Sequence, residues 1–232
     1  MSSSEVIDLN TEAVSLLTQG RHEESHLVLR RALESFRAVL KQADEAMEVE
    51  KREDELDSVI LHAVSVRDPP HECVKASRSS CENSIVSVYS RAFIITSERE
   101  HFVQGNEHTV PAVLLYNMGL GQQLVANRSG KSSGLRRAMQ LYNMSFAMLE
   151  EASHVLNDMD IMVLLALANN MSIISGSQFY DRNGAESSRL LMDRILSSDD
   201  CLEALNEEDI EFFSLNLMFL SEYEKHAQAP AA

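Results

Sequence analysis

Apolar residues recur at helical spacing along most of the 232-residue chain. Leu9, Ala13, Leu16 and Leu17 mark a first helix, and the pattern stops at Gly20. It resumes near Glu23, where Leu27, Val28, Leu29, Ala32, Leu33, Phe36, Val39 and Leu40 make a broad apolar face. Gln19-Gly20-Arg21 between them predicts a tight turn with Gly20 in the left-handed position that follows a helix end. Helical periodicity returns after Pro111, which suits a first helical turn. The spacing predicts helices over 112–125, 135–154, 158–175, 185–196 and 207–224. A polar loop at 127–134 and an Asn183-Gly184 turn separate members of this series. The helix over 158–175 is apolar nearly all round, which predicts burial on both sides.

The middle of the chain has a different period. Ser58 to Val66 is rich in β-branched residues, and so is Ser84 to Thr96, where Ile85, Tyr89 and Phe93 alternate with Ser87 and Arg91. This favours strands. Pro69-Pro70 between the two runs forbids a continuous helix. The expectation is a β-hairpin or ribbon insertion near 58–97 with a mobile loop at 67–83. An isolated two-stranded ribbon is marginal in water, so it must pack on the helices. The acidic run from Asp44 to Asp57 reads as a solvated helix end. The expected organisation is a mainly α, single domain over 1–232, with a frayed tail at 227–232.

Composition agrees with this plan. Hydrophobic residues make up 44% of the chain, Gly (8) and Pro (4) are scarce, and Trp is absent. That balance favours helices around a real core. The net charge of −16 argues against nucleic acid and against an anionic membrane surface as the main partner. The N-terminus lacks a secretory pattern, and the longest apolar run, Ile161 to Ala168, is too short to span a bilayer. The expected location is the cytoplasm, with the nucleus also open. Cys73, Cys81 and Cys201 show no paired-ligand spacing, which fits reduced thiols.

A short phrase recurs within the apolar helices: Tyr116-Asn117-Met118-Gly119, Asn169-Asn170-Met171-Ser172 and Leu215-Asn216-Leu217-Met218. Ala13, Leu16, Gly20, Ser25, Leu29 and Ala32 in a first hairpin, Leu115, Asn117, Gly119, Ala138 and Tyr142 in a second unit, and Asn170, Met171 and Ser172 in a third fit the slots of a repeated helix pair, with small residues where two helix axes approach closely. The layout resembles the tetratricopeptide repeat (TPR) family. The resemblance implies an antiparallel helix-pair superhelix. It departs from the regular pattern in lacking Trp and a closing Pro, and in the wide spacing of its Asn phrases. In that family the Asn slot faces a concave groove and holds the backbone of an extended partner peptide. This implies a partner groove at Tyr116, Asn117, Asn169, Asn170 and Asn216. The neighbouring positions Val113, Leu120, Ala166 and Ile173 carry no charge, so a basic carboxylate clamp is not expected. The competing reading is that these Asn residues lock adjacent helices together. A groove role predicts that Asn117→Ala with Asn170→Ala spares the fold, and a packing role predicts unfolding.

Catalytic signatures are missing from the sequence. Gly130-Lys131-Ser132 resembles the end of a phosphate-binding loop, but the first Gly of that motif falls at Val125. His22 and His26 share a helix face without a third ligand in sequence, and no GxSxG occurs. No cofactor or metal is expected. One charge feature stands apart: from Thr109 to Leu149 there is no acid, while Arg128, Lys131, Arg136 and Arg137 are basic. This segment either docks on acidic neighbours, in the chain or in a second copy, or forms an anionic docking site open to phosphorylation at Ser129, Ser132 or Ser133. The function expected is a non-catalytic interaction module that presents a helical groove to a protein or peptide. The alternatives are a divergent helical enzyme or regulatory subunit, and a structural homo-oligomer.

Overall fold

The structure is a computed structural model that describes residues 3–47, 59–66, 87–97, 106–151, 158–179, 181–203 and 205–227. The loop expected at 67–83, most of the acidic run at 44–57, residues 84–86 and the tail at 228–232 lie outside the described residues. Among the described residues the fold is mainly helical with one small antiparallel sheet. Chain contacts gather it into two compact units. One comprises Met1–Arg67 with Ser90–Met159, and the other Asp68–Tyr89 with Asp160–Ala232.

The first unit opens with α1 (Ser3–Thr18) and α2 (His22–Met47). Gly20 takes φ 75°. Its N–H donates to the Leu17 carbonyl and that of Arg21 to the Leu16 carbonyl, each at 2.9 Å. These two bonds satisfy carbonyls that a helix end leaves orphaned. Ala13 and Leu17 of α1 are buried with Leu29, Ala32 and Phe36 of α2. The Ser25 hydroxyl crosses between the helices and donates to the Ala13 carbonyl at 2.8 Å.

The pair α3 (Thr109–Ser129) and α4 (Ser132–Glu151) repeats the device, with the Ser145 hydroxyl donating to the Ala112 carbonyl at 2.7 Å. A Cβ at Gly119 would lie 2.6 Å from the Tyr142 ring, so the glycine is what lets that ring seat between the helices. The polar loop expected at 127–134 is far shorter than the composition suggests. α3 continues through Ser129, Gly130 turns at φ 65°, and α4 begins at Ser132. Exposed polar residues keep a helix as readily as a loop once one glycine supplies the left-handed stop.

The sheet belongs to this unit. β1 (Val59–Ser65) pairs antiparallel with β2 (Arg91–Ser97), from Val59 opposite Ser97 to Ser65 opposite Arg91, with no bulge. The Val66 N–H donates to the Ser90 carbonyl at 2.8 Å. In an antiparallel pair the backbone groups of alternate residues point to opposite edges. The even-numbered residues of both strands therefore bond each other. The odd-numbered residues of β2 point away from β1, and those of β1 point away from β2. β2 begins only at Arg91, later than the apolar run suggests.

In the second unit α5 (Asp158–Ile174) passes into a π-helical turn at Ser175–Phe179. α6 (Arg182–Leu196), the short α7 (Asp199–Glu203) and α8 (Glu207–Ala227) follow. Asn183-Gly184 is not the turn before α6 but part of its first turn. The Asp181 carboxylate accepts from the Gly184 N–H at 3.1 Å and starts the helix three residues early. The third inter-helix bolt is the Ser172 hydroxyl, which donates to the Ala185 carbonyl at 3.3 Å. α8 is capped reciprocally. The Asn206 side chain accepts from the Asp209 N–H at 2.9 Å, and its amide donates back to the Asp209 carboxylate. No helix among the described residues is long and apolar enough to cross a membrane.

Candidate functional site

The recurrent Asn residues are buried: Asn117, Asn169 and Asn170 are 0% exposed and Asn216 3%. A buried carboxamide has two donors and an acceptor to satisfy, and an unpaired one costs free energy. A peptide group in an extended strand offers the complement, since the N–H and C=O of one residue point the same way. One carboxamide can therefore take both.

In the first unit Asn117 of α3 does this with Phe93 of β2. Its Oδ1 accepts from the Phe93 N–H at 2.9 Å, and its Nδ2 donates to the Phe93 carbonyl at 2.8 Å. The second Nδ2 proton goes to Asn10 Oδ1 at 3.1 Å, and Asn10 of α1 donates in turn to the Phe93 carbonyl at 3.0 Å. Phe93 is an odd-numbered residue of β2, so these are the groups its pairing with β1 leaves free. The Tyr116 hydroxyl donates to the next such carbonyl, that of Arg91, at 3.2 Å. The Tyr116 ring lies 5.1 Å from the ring of Phe93, centroid to centroid.

The second unit repeats the arrangement on Ser87 and Tyr89. Asn170 of α5 accepts from the Tyr89 N–H at 2.8 Å and donates to its carbonyl at 3.2 Å. Asn216 of α8 accepts from the Ser87 N–H at 3.1 Å and donates to its carbonyl at 2.7 Å. Asn169 sits between the two. It donates to the Ser87 carbonyl at 3.1 Å and to Asn170 Oδ1 at 3.0 Å, and accepts from Asn216 Nδ2 at 2.7 Å. Every amide proton of Asn169 and Asn216 has an acceptor. The Tyr89 ring stacks on Phe213 at 4.8 Å and meets Phe212 edge-on at 5.3 Å. Its hydroxyl donates to the buried Asp209 carboxylate at 3.0 Å.

Ser87, Tyr89, Arg91 and Phe93 are alternate residues of one uninterrupted stretch of sequence. The slots that the family resemblance assigns to a partner peptide thus hold the main chain of the protein itself. Tyr116, Asn117, Asn169, Asn170 and Asn216 are all engaged in this way. Sequence reasoning missed Asn10 and Asp209. Leu9-Asn10 is the same kind of phrase as Leu215-Asn216, an Asn beside Leu on an apolar helix face, and that was its signal. Asp209 gave none, because its environment depends on Tyr89, 120 residues away.

The basic segment lies on the surface of the first unit. Lys131, Arg136 and Arg137 are exposed, and none makes an ion pair among the described residues. Arg128 comes close to the α1–α2 turn, its guanidinium 3.8 Å from where a Cβ on Gly20 would sit. His26, half-buried on α2, is held below the usual imidazole pKa by burial first and then by the positive charges of Arg30 and Arg137. The described residues contain no group of three or more His, Cys, Asp or Glu placed to hold a metal ion. Cys73 and Cys81 lie outside the described residues, and Cys201 of α7 is a free, half-buried thiol. No family model matches the chain, and neither does a curated protein or a solved structure.

Proposed function

We propose that the protein is a non-catalytic, TPR-like interaction scaffold that holds extended polypeptide by its main chain. The observation that carries this reading is the paired recognition of one peptide unit by one carboxamide, made by Asn117 at Phe93, Asn170 at Tyr89 and Asn216 at Ser87. Such pairs read backbone rather than side chain, which is how extended ligands are gripped without strong sequence demands. Here the segment held is the protein's own, so the partner enters at the next position of the same ribbon. That position is the far edge of β1. The backbone groups of Leu61, Ala63 and Ser65 point away from β2, and no described residue bonds to them.

The strand Val59-Ile60-Leu61-His62-Ala63-Val64-Ser65 carries no Asp, Glu, Lys, Arg or Pro, and its pairing contains no bulge. Natural sheets guard free edges with such devices. Ile60 is 42% exposed on this strand, and His62 and Ala63 are exposed too. An edge without charged side chains and with no bond from a described residue suits strand addition by an extended segment of a partner protein. A proline at an outward position removes one edge donor and leaves the inner pairing intact. Ala63→Pro should keep the circular dichroism spectrum and lose the proteins that the unaltered protein captures in an affinity pull-down. Val64→Pro, which points inward, should disturb the fold. Equal capture by Ala63→Pro and the unaltered protein sinks the proposal.

A further inference from the structure

A second surface is built from charge. All 36 acidic residues of the chain fall outside the 41-residue window from Thr109 to Leu149, which holds four cations. The helix pair brings these cations to one end of the first unit. Arg128 ends α3 beside the α1–α2 turn, Lys131 forms the α3–α4 turn, and Arg136 and Arg137 lie on the second turn of α4. Arg137 and Arg30 of α2 both act on His26. Two acids of α2 are already shared, Glu24 with Arg21 and Glu34 with Arg30. Lys131, Arg136 and Arg137 themselves make no ion pair among the described residues.

We propose that this face, centred on Lys131, Arg136 and Arg137 and flanked by Arg30 and Arg128, docks a carboxylate-rich segment of a partner protein. Charge complementarity selects the occupant. A duplex or a membrane surface is an extended polyanion and would meet the strongly acidic remainder of the molecule as well as this face. A short acidic segment meets only the face, because screening confines its attraction to about 8 Å at physiological salt. The surface is separate from the β1 edge, so either can fail without the other.

The test titrates the full chain with an octaglutamate peptide and, separately, with an octaglutamine peptide. Octaglutamate should bind, weaken as salt rises and move the His26 imidazole resonances toward titration at higher pH; octaglutamine should do none of these. Arg136→Glu with Arg137→Glu should weaken binding about tenfold or more, given the modest worth of each exposed ion pair and its reversal to repulsion. Arg136→Gln with Arg137→Gln should weaken it less, and Lys41→Glu, exposed toward the far end of α2, should leave it unchanged. Circular dichroism checks that each variant keeps its helices. The proposal is overturned if the Arg136/Arg137 variants bind octaglutamate as the unaltered protein does, or if Lys41→Glu weakens it equally. It is also overturned if phosphatidylserine vesicles or duplex DNA bind this face and octaglutamate does not.

Discussion

Asn117→Ala removes the side chain that satisfies both backbone groups of Phe93. Phe93 is 1% exposed, so its N–H loses the Asn117 acceptor where bulk water does not replace it. An orphaned buried donor costs about 1–3 kcal/mol. The Phe93 carbonyl keeps its bond from Asn10, but Asn10 Oδ1 loses the proton it received from Asn117. A second, partly compensated loss brings the expected destabilisation to about 2–4 kcal/mol. Whole domains are stable by only about 5–15 kcal/mol, so this is a large fraction. With a urea slope of about 1–3 kcal/mol/M, the midpoint should fall by about 1–2 M, read by circular dichroism. Asn127→Ala, at an exposed position on the same helix, should stay within about 0.5 kcal/mol of the unaltered protein. Asn10→Ala combined with Asn117→Ala should be non-additive, because both grip one carbonyl and each other. If Asn117→Ala unfolds at the same urea concentration as the unaltered protein, the clamp is energetically empty and the reasoning fails.

Two further effects follow from the same geometry. Gly119→Ala places a methyl against a Tyr142 ring whose hydroxyl is held by Gln123 at 2.7 Å, so overpacking of about 1–3 kcal/mol should outweigh the helix-propensity gain of about 1 kcal/mol; thermal denaturation should show a lower Tm. His26 has a lowered native pKa, so the unfolded chain binds its proton first: its contribution to stability is present above the unfolded value near 6.5 and is lost as pH falls through the lowered native value. His26→Gln should flatten the urea midpoint against pH across that window, and an unchanged slope would show that the imidazole does not feel Arg30, Arg137 and burial together.

The helices were legible because apolar spacing of 3.6 residues is a local signal, and Gly20 announced its turn in the same way. The two strands were legible from their β-branched alternation. Their neighbours were not. The end of α3 was hidden because Asn127, Arg128 and Ser129 are exposed polar residues whether they lie in a loop or in a final helical turn. The start of α6 was hidden because Asn183-Gly184 is a turn signal that the Asp181 cap overrides. The Asn residues themselves stood out, as polar side chains in apolar helices must, since each has to find a buried partner. What they hold was not readable. Phe93 lies 24 residues from Asn117 and Ser87 lies 129 from Asn216, and no local pattern encodes which extended segment fills a slot.

The central claim is that carboxamides from the helices take the backbone groups of the segment at Ser87–Phe93 that strand pairing does not. Residue-resolved amide hydrogen exchange by NMR tests it directly. The Phe93 and Tyr89 amides, bonded to Asn117 and Asn170, should exchange slowly. The amides of Leu61 and Ala63, on the β1 edge to which no described residue bonds, should exchange fast, and Asn117→Ala should release Phe93. Phe93 and Tyr89 amides that exchange as fast as those of Leu61 and Ala63 would contradict the account.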